Sequence, residues 1–527
     1  TTLDPKAQAT VENIMNNAAN FPNESIQSGV AVVDTKSGAI RAIGGGRNYG
    51  TDLLLNRATD IKGRSPGSTA KPLVAYGPAI ENLKWSTGHT TVDEKMTYPN
   101  TNQVISNWDG KYNGTMTIRE ALYTSRNVPA VKTLLEVGLD KPKQFLNNLG
   151  IAIDAIYPST TLGPNLHISP VQMAASYAAF GNNGVFNEGH TITKIVYRDG
   201  VTEKKYTPES KVAMSDYTAY MVTDILRDTV SNLPGASGNY AIISGVDIAG
   251  KTGTSNYSSD DFKKYKLGNS AVPDSWFAGY TTDYSIAIWS GYDDYGTPIT
   301  TWPERRLPQT LFKSIMNGLI QSSGKPERFK KPSSVVEATI EIGTSPLQLA
   351  SEFTPDEQKS TELFVKGTQP TTVSDKYQAP EIGTVTNLKA DLLTNILTNS
   401  QSINLSWDYN APTSDEETNT PNEKPKFEVT MAIGSEPAVV VTTTEGNRHS
   451  IPSIQPGETY TFTVTPIILD NRGETVTTTI LVPPLDEVID GEDANTTPGG
   501  NNNGNNGNSG NNDNNGNNNG NPGEGRP

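Results

Sequence analysis

The sequence predicts an α+β domain, then an all-β sandwich, then a disordered tail. Three observations carry this order. Strand-like segments lie at both ends of residues 1–330 with helical periodicities between them; alternating apolar stretches fill residues 380–484; an acidic run and an Asn/Gly tract occupy 485–527. Strands at both ends of a domain with helices between them suggest one antiparallel sheet carrying the terminal strands. The 527 residues leave room for about three to four domains.

Taken in order, Val11, Ile14, Met15 and Ala18 recur at helical spacing behind Pro5, which suits the first turn of a helix. Gly29–Asp34 and Ala39–Ile43 flank a Thr35-Lys36-Ser37-Gly38 turn and read as a hairpin. Helical patterns follow near 69–82, 117–137, 169–180 and 215–230, strands return at 245–254 and 275–292, and a final helix is expected near 308–322. Residues 331–379, rich in Pro, Ser, Thr and Glu, read as a linker. Beyond them, Ser402–Tyr409, Lys426–Ile433, Val439–Thr443, Thr459–Ile468 and Thr475–Val482 alternate and are separated by turns such as Pro456-Gly457-Glu458. That spacing predicts an antiparallel sandwich with Trp407 in an early strand and Tyr460 placed as a tyrosine corner would be, which resembles a fibronectin type III domain. The tail has almost nothing to bury and reads as a solvated spacer.

Composition narrows the chemistry. The net charge of −15 repels phosphate backbones, so no nucleic-acid partner is expected. No cysteine is present, which removes disulfides, thiolate nucleophiles and cysteine-bound metals. The four histidines, His89, His167, His190 and His449, are scattered and form no HExxH, which argues against a histidine-rich metal site or a histidine-based triad. A nucleophile here must be activated some other way.

Gly245-Val-Asp-Ile-Ala-Gly250-Lys251-Thr252 spells a P-loop, but the intervening residues alternate like a strand and no helix pattern follows, so a nucleotide-binding ATPase is disfavoured. The same lysine opens Lys251-Thr252-Gly253-Thr254, preceded in order by Ser68-Thr69-Ala70-Lys71 and Ser125-Arg126-Asn127. SxxK, SxN and KTG elements together mark penicillin-recognising serine enzymes. Each piece alone is cheap: Ser322-Ser-Gly-Lys325, Ser237-Gly-Asn239 and Lys36-Ser37-Gly38 are lookalikes. Context separates them. Pro66-Gly67 precedes Ser68 and an apolar helical run follows, which puts Lys71 one turn from Ser68 on the same face. Ser322 sits at a helix end beside Gly324 and Pro326.

Without histidine or cysteine, a serine hydroxyl needs an amine whose proton affinity is lowered by burial and neighbouring cations. Lys71 fits that role if Lys251 stands close. Ser125 would then relay the proton to the leaving amine, Asn127 would hold the substrate's peptide amide, and Lys251, Thr252 and Thr254 would grip a carboxylate. The backbone amides of Ser68 and Thr254, the latter on an edge strand, would form an oxyanion hole.

Residues 1–325 resemble the transpeptidase domain of a class A, bifunctional penicillin-binding protein of a Gram-positive bacterium. Thr2-Leu3-Asp4-Pro5, Asn107-Trp108-Asp109-Gly110, Arg126-Asn127-Val128-Pro129-Ala130-Val131 and Ile168-Ser169-Pro170-Val171-Gln172-Met173-Ala174 add to the three motifs. The resemblance implies the penicillin-binding/β-lactamase-like α+β fold, a five-stranded antiparallel sheet with helices on both faces. It implies a D-alanyl-D-alanine transpeptidase working through a serine acyl-enzyme, with stem peptides of peptidoglycan and β-lactams as ligands and no metal or organic cofactor.

Carried over onto matching positions, Ser68, Lys71, Ser125, Asn127 and Lys251 are catalytic and Thr252, Gly253 and Thr254 bind substrate; Trp108 and Tyr257 are candidate walls of the cleft. The family's glycosyltransferase and membrane anchor, which precede this domain, have no counterpart in the sequence, so glycan polymerisation is not expected of it and membrane association would run through a missing N-terminal segment. The expected location is the extracytoplasmic face of the membrane and the cell wall, with the sandwich as the contact for cell-division or elongation proteins. Two alternatives stand beside the transpeptidase. A β-lactamase would need a glutamate to activate water, and between Ile151 and Phe186 there is only Asp154. A non-catalytic wall-binding scaffold would have no need of three intact motifs.

Overall fold

In a computed structural model the chain is described over residues 1–48, 55–61, 64–379, 381–395, 397–398, 400–412 and 424–484. The residues assigned to the tail, 485–527, lie outside these. Two compact units are present, Thr1–Glu381 and Ile382–Pro412 continuing from Lys424.

In the first unit, helix α1 (Pro5–Asn16) begins where Asp4 accepts from the amides of Lys6 and Ala7, which satisfies donors a helix start leaves open. Strands β1 (Gln27–Asp34) and β2 (Ile40–Gly44) form the expected hairpin. The other three strands come from the far end of the domain: β3 (Ala249–Thr254), β4 (Asp274–Tyr280) and β5 (Tyr284–Gly291). The sheet runs β3-β4-β5-β1-β2, every pair antiparallel, with β3 at one edge.

Both faces of the sheet are buried, and the period-2 alternation of strands divides the side chains between two cores. Val30, Val32, Phe277, Ile286 and Ile288 join α1 and the long helix α9 (Trp302–Ser323). Ala31, Val33, Trp276, Ala278, Ala287 and Trp289 face a larger core built on α2 (Gly77–Leu83), α3 (Ile118–Tyr123), α4 (Asn127–Val137), α5 (Asp140–Asn148), α6 (Pro170–Gly181) and α7 (Asp216–Thr229). A last short helix, α8, spans Ser259–Lys264.

Three sequence expectations change. The helix expected over 117–137 is two helices, broken where Ser125 takes φ 61°. Residues 69–82 form a 3₁₀ turn, Gly67–Ala70, then a π-helical turn, Pro72–Tyr76, and only then α2. Pro72 and Pro78 lack the amide hydrogens that would continue a regular ladder.

The expected linker, 331–379, contains a hairpin, β6 (Val335–Glu341) with β7 (Lys359–Val365). Val335 and Leu363 belong to the larger core. Buried Glu362 takes a bond from Arg119 Nε at 2.8 Å and another from Thr87 Oγ1, and Arg119 also pairs with Asp224 and Asp228. Of the polar residues in this segment Glu341, Thr354, Glu362 and Ser374 are buried, while the others are half-buried or exposed.

The second unit is a sandwich. One sheet holds β8 (Thr384–Asn395), β9 (Ser400–Asn410) and β12 (Arg448–Ile451); the other holds β10 (Lys426–Ile433), β11 (Val439–Thr444), β13 (Thr459–Ile468) and β14 (Val476–Leu481). Trp407, Phe427, Val429, Phe462 and Val464 fill the space between them. The Tyr460 hydroxyl accepts from the Gln455 amide at 2.7 Å, upstream in the chain as a tyrosine corner requires. Strands β8 and β12 escaped the sequence reading.

Candidate active site

Ser68 lies in the 3₁₀ turn, half-buried, at the edge of the sheet beside β3. Two glycines allow that approach. A Cβ on Gly67, whose φ is +57°, would fall 2.3 Å from the Thr254 carbonyl oxygen, and one on Gly253 would fall 2.3 Å from the Pro66 carbonyl oxygen. The glycine of the KTG element therefore seats strand against turn; any side chain there would drive Ser68 and Thr254 apart. In the P-loop lookalike, Gly245–Ile248 is turn and irregular backbone and Lys251 and Thr252 lie within β3, which leads into a loop rather than into a phosphate-binding helix.

Lys71 and Lys251 are fully buried. Lys71 Nζ donates to the Ser125 carbonyl at 2.7 Å, the Arg126 carbonyl at 3.0 Å and Asn127 Oδ1 at 2.7 Å, and stands 3.3 Å from Ser125 Oγ. Lys251 Nζ donates to Ser125 Oγ at 2.8 Å and to the Thr252 carbonyl at 3.1 Å. Ser125 thus sits between two lysines, and its left-handed backbone is what turns both its carbonyl and its hydroxyl toward them. Among the described residues nothing hydrogen-bonds the Ser68 hydroxyl, and Lys71 is engaged by the SxN loop.

Burial pushes the Lys71 ammonium well below its ordinary 10.5, with Lys251 and Arg126 adding repulsion and Asp93 opposing them. The three oxygens that Lys71 faces also favour the charged form. Desolvation and two cations outweigh them, because charge repulsion acts at full strength where water is excluded. Burial lowers Lys251 to about 7.

Arg126, fully buried, pairs with Asp93 at 2.8 Å and Asp109 at 2.9 Å. Asp93 also accepts from Asn107 Nδ2 at 2.8 Å, and Asn107 Oδ1 accepts the Asn127 amide at 2.7 Å. A continuous network, Asp93–Asn107–Asn127–Lys71, thereby ties the SxN loop to a buried anion.

The structure brings Lys71, Ser125, Asn127, Lys251 and Thr252 together and sets Ser68 beside Gly253 and Thr254. Trp108 is 66% exposed and donates to the Thr124 carbonyl at 3.2 Å, next to Ser125. Tyr257 is buried, packed edge-on to Phe262 and Tyr295, and donates to the Tyr295 carbonyl at 2.7 Å, which turns it inward. Ser237, set aside as a lookalike, has its hydroxyl 2.9 Å from Thr252 Oγ1. Asp93 went unread as well; it ends the short β-branched run Thr90-Thr91-Val92, which carries no signal of a buried carboxylate.

Comparisons with known proteins give the family. Residues 28–316 match the family model "Penicillin binding protein transpeptidase domain", 331–379 match "Penicillin-binding protein 1A, C-terminal domain", and 391–475 match "PBP1-like, fibronectin3-like domain". Penicillin-binding protein 1A/1B of Bacillus subtilis (strain 168) is 38% identical over 504 residues, covering 94% of this chain and 52% of the relative. Penicillin-binding protein 1A of Streptococcus oralis is 38% identical over 312 residues, covering 57% and 48%. The chain spans about half the length of these curated relatives. Among solved structures, PonA1 from Mycobacterium tuberculosis in complex with penicillin V superposes with a TM-score of 0.53 at 23% identity, over 63% of this chain and 88% of that one, a likeness of fold. With its transpeptidase motifs in order and two penicillin-binding-protein modules following them, the chain belongs to the penicillin-binding protein transpeptidase family, in its class A, Gram-positive branch.

Proposed function

We propose that the chain is a peptidoglycan D-alanyl-D-alanine transpeptidase and a covalent target of β-lactams, with Ser68 as nucleophile. Ser68 Oγ attacks the carbonyl of the terminal D-Ala-D-Ala bond while its proton passes to the neutral amine of Lys71. The C–N bond breaks, the leaving D-alanine takes a proton through Ser125, and an ester on Ser68 remains. An amine of a neighbouring stem peptide then attacks that ester, forming the cross-link and restoring the Ser68 hydroxyl. Water in place of the amine gives carboxypeptidase turnover of the same intermediate.

The observation that carries this reading is the buried Lys71–Ser125–Lys251 array beside the Ser68 turn. It offers an amine with depressed proton affinity and a hydroxyl between two amines, as proton transfer without histidine requires. Thr252 and Thr254 on the edge strand, with Lys251 behind them, suit a C-terminal carboxylate, and the amides of Ser68 and Thr254 suit the developing oxyanion. Asn127, whose Nδ2 donates to the Ser106 carbonyl at 2.7 Å, lines the same cleft. This activity places the protein at the outer face of the cell membrane, working on cell-wall polymer; among the described residues no helix is long and apolar enough to cross a membrane.

The test is to weigh the intact protein after incubation with benzylpenicillin, with Ser68→Ala in parallel. A single penicilloyl adduct on the parent and none on the variant is the expected result. An adduct on Ser68→Ala would overturn the assignment of the nucleophile.

A further inference from the structure

One buried carboxylate outside the three motifs reaches both segments that form the Ser68 cleft. Asp274 opens β4 and is 1% exposed. Its Oδ1 accepts from Arg64 Nη1 at 3.3 Å and Trp289 Nε1 at 2.8 Å, and its Oδ2 accepts from Ser255 Oγ at 2.6 Å. Arg64 lies four residues before Ser68, and Ser255 follows Thr254 directly. Two residues along the same strand, Trp276 Nε1 donates to the Ser65 carbonyl at 3.0 Å. Arg64 is held from its other side by the carbonyls of Tyr292 and Asp293.

We propose that Asp274 is a positioning residue for acylation: it fixes the end of β3 and the turn carrying Ser68 to one strand, and so sets the separation of the nucleophile from the Thr254 amide. This rests on the function proposed above. The glycine contacts give the reason such a strut matters. Turn and strand meet backbone to backbone at Gly67 and Gly253, and the Thr69 methyl is the one side-chain group within reach of a Cβ at either glycine. Hydrogen bonds must supply what packing cannot, and a reacting geometry tolerates little drift: about 1 Å of misplacement costs about a hundredfold in rate. Asp274 serves through charge as well as shape, because one carboxylate oxygen takes two donors and the other takes the hydroxyl. The amide of an asparagine can keep the Oδ1 contacts but leaves Arg64 without its counter-ion.

The experiment resolves the reaction with a reporter penicillin into its noncovalent binding constant and its first-order acylation step, for Asp274→Asn, Ser255→Ala and Trp276→Phe. Acylation is expected to slow by about a hundredfold in Asp274→Asn and about tenfold in each of the others, with binding within about twofold of the parent and full labelling at long times. Ile315→Ala, a core change on the buried face of α9, serves as the control for general destabilisation and is expected to label at the parental rate. If Asp274→Asn does not fold, Ser255→Ala and Trp276→Phe decide the matter. Parental acylation rates in the folded variants, or weaker binding with the acylation step intact, would overturn the inference. Ser68→Ala run alongside separates the two levels: labelling of that variant sinks the proposed function, whereas an inert Ser68→Ala with undiminished Asp274→Asn sinks only the strut.

Discussion

The two compact units differ in what they bury. The interior of the first holds Lys71, Lys251 and Arg126 with Asp93, each 1% exposed or less. In the second, Gln401 and Thr465 are the buried polar side chains among the described residues, and no charged one is buried. A sandwich that exists to be stable fills its interior with Trp407, Phe427 and Phe462, whereas burying cations beyond the local supply of anions costs free energy that packing must offset. Such a cost is retained where it tunes reactivity. The contrast separates a unit built around chemistry from one built around packing, and it can be tested from both sides.

The largest effect is expected at Lys71. Lys71→Ala removes the proposed base, and acylation by benzylpenicillin is expected to fall by about a thousandfold with the fold retained by circular dichroism; a fall of less than tenfold would mean that another group takes the Ser68 proton. On the opposite side, Trp407→Ala should destabilise the sandwich by about 3–5 kcal/mol, read as an earlier melting step, while acylation at 25 °C stays at the parental rate. Loss of acylation in step with that transition would erase the division of labour.

A smaller effect sharpens the boundary of the first unit. Glu362→Ala removes acceptors from Arg119 and Thr87 and should lower the stability of the catalytic unit by about 2–3 kcal/mol. An unchanged melting point would return residues 331–379 to the status of a linker. Smallest is Thr301→Ala at the start of α9, where a reciprocal cap with Glu304 is lost. It is expected to cost about 1 kcal/mol by chemical denaturation without touching acylation.

How much was legible in the sequence follows from distance along the chain. Ser68 and Lys71 lie one turn apart and Lys251-Thr252-Gly253 share a strand, so local spacing was enough to single them out as candidates. The partners that tune them are remote: Asp93 lies 33 residues from Arg126 in sequence, and Ser237 meets Thr252 across 15. Ser237 was dismissed because it imitates a motif whose role another serine fills. The hairpin of 331–379 was hidden because its apolar residues, Val335, Ile340 and Leu363, are spread among charges that are themselves buried or paired. Pro72, directly after Lys71, is visible in the sequence as a residue without an amide hydrogen, but the π-turn that follows from it over Pro72–Tyr76 is set by the next turn's packing and is not.

The measurement that tests the central claim most directly is the pH dependence of the first-order acylation step with benzylpenicillin, from pH 5 to about 11. On the proposed mechanism, acylation requires Lys71 as the neutral amine. Because its folded value lies below 10.5, the neutral fraction grows as pH rises through that lowered value, long before an ordinary lysine would release its proton. The account predicts a rate that climbs with pH and reaches its plateau well below 10.5, with Lys71→Ala flat at the residual level. A rate still rising with a midpoint near 10.5 would show that burial beside Lys251 and Arg126 does not activate Lys71, and would contradict the account.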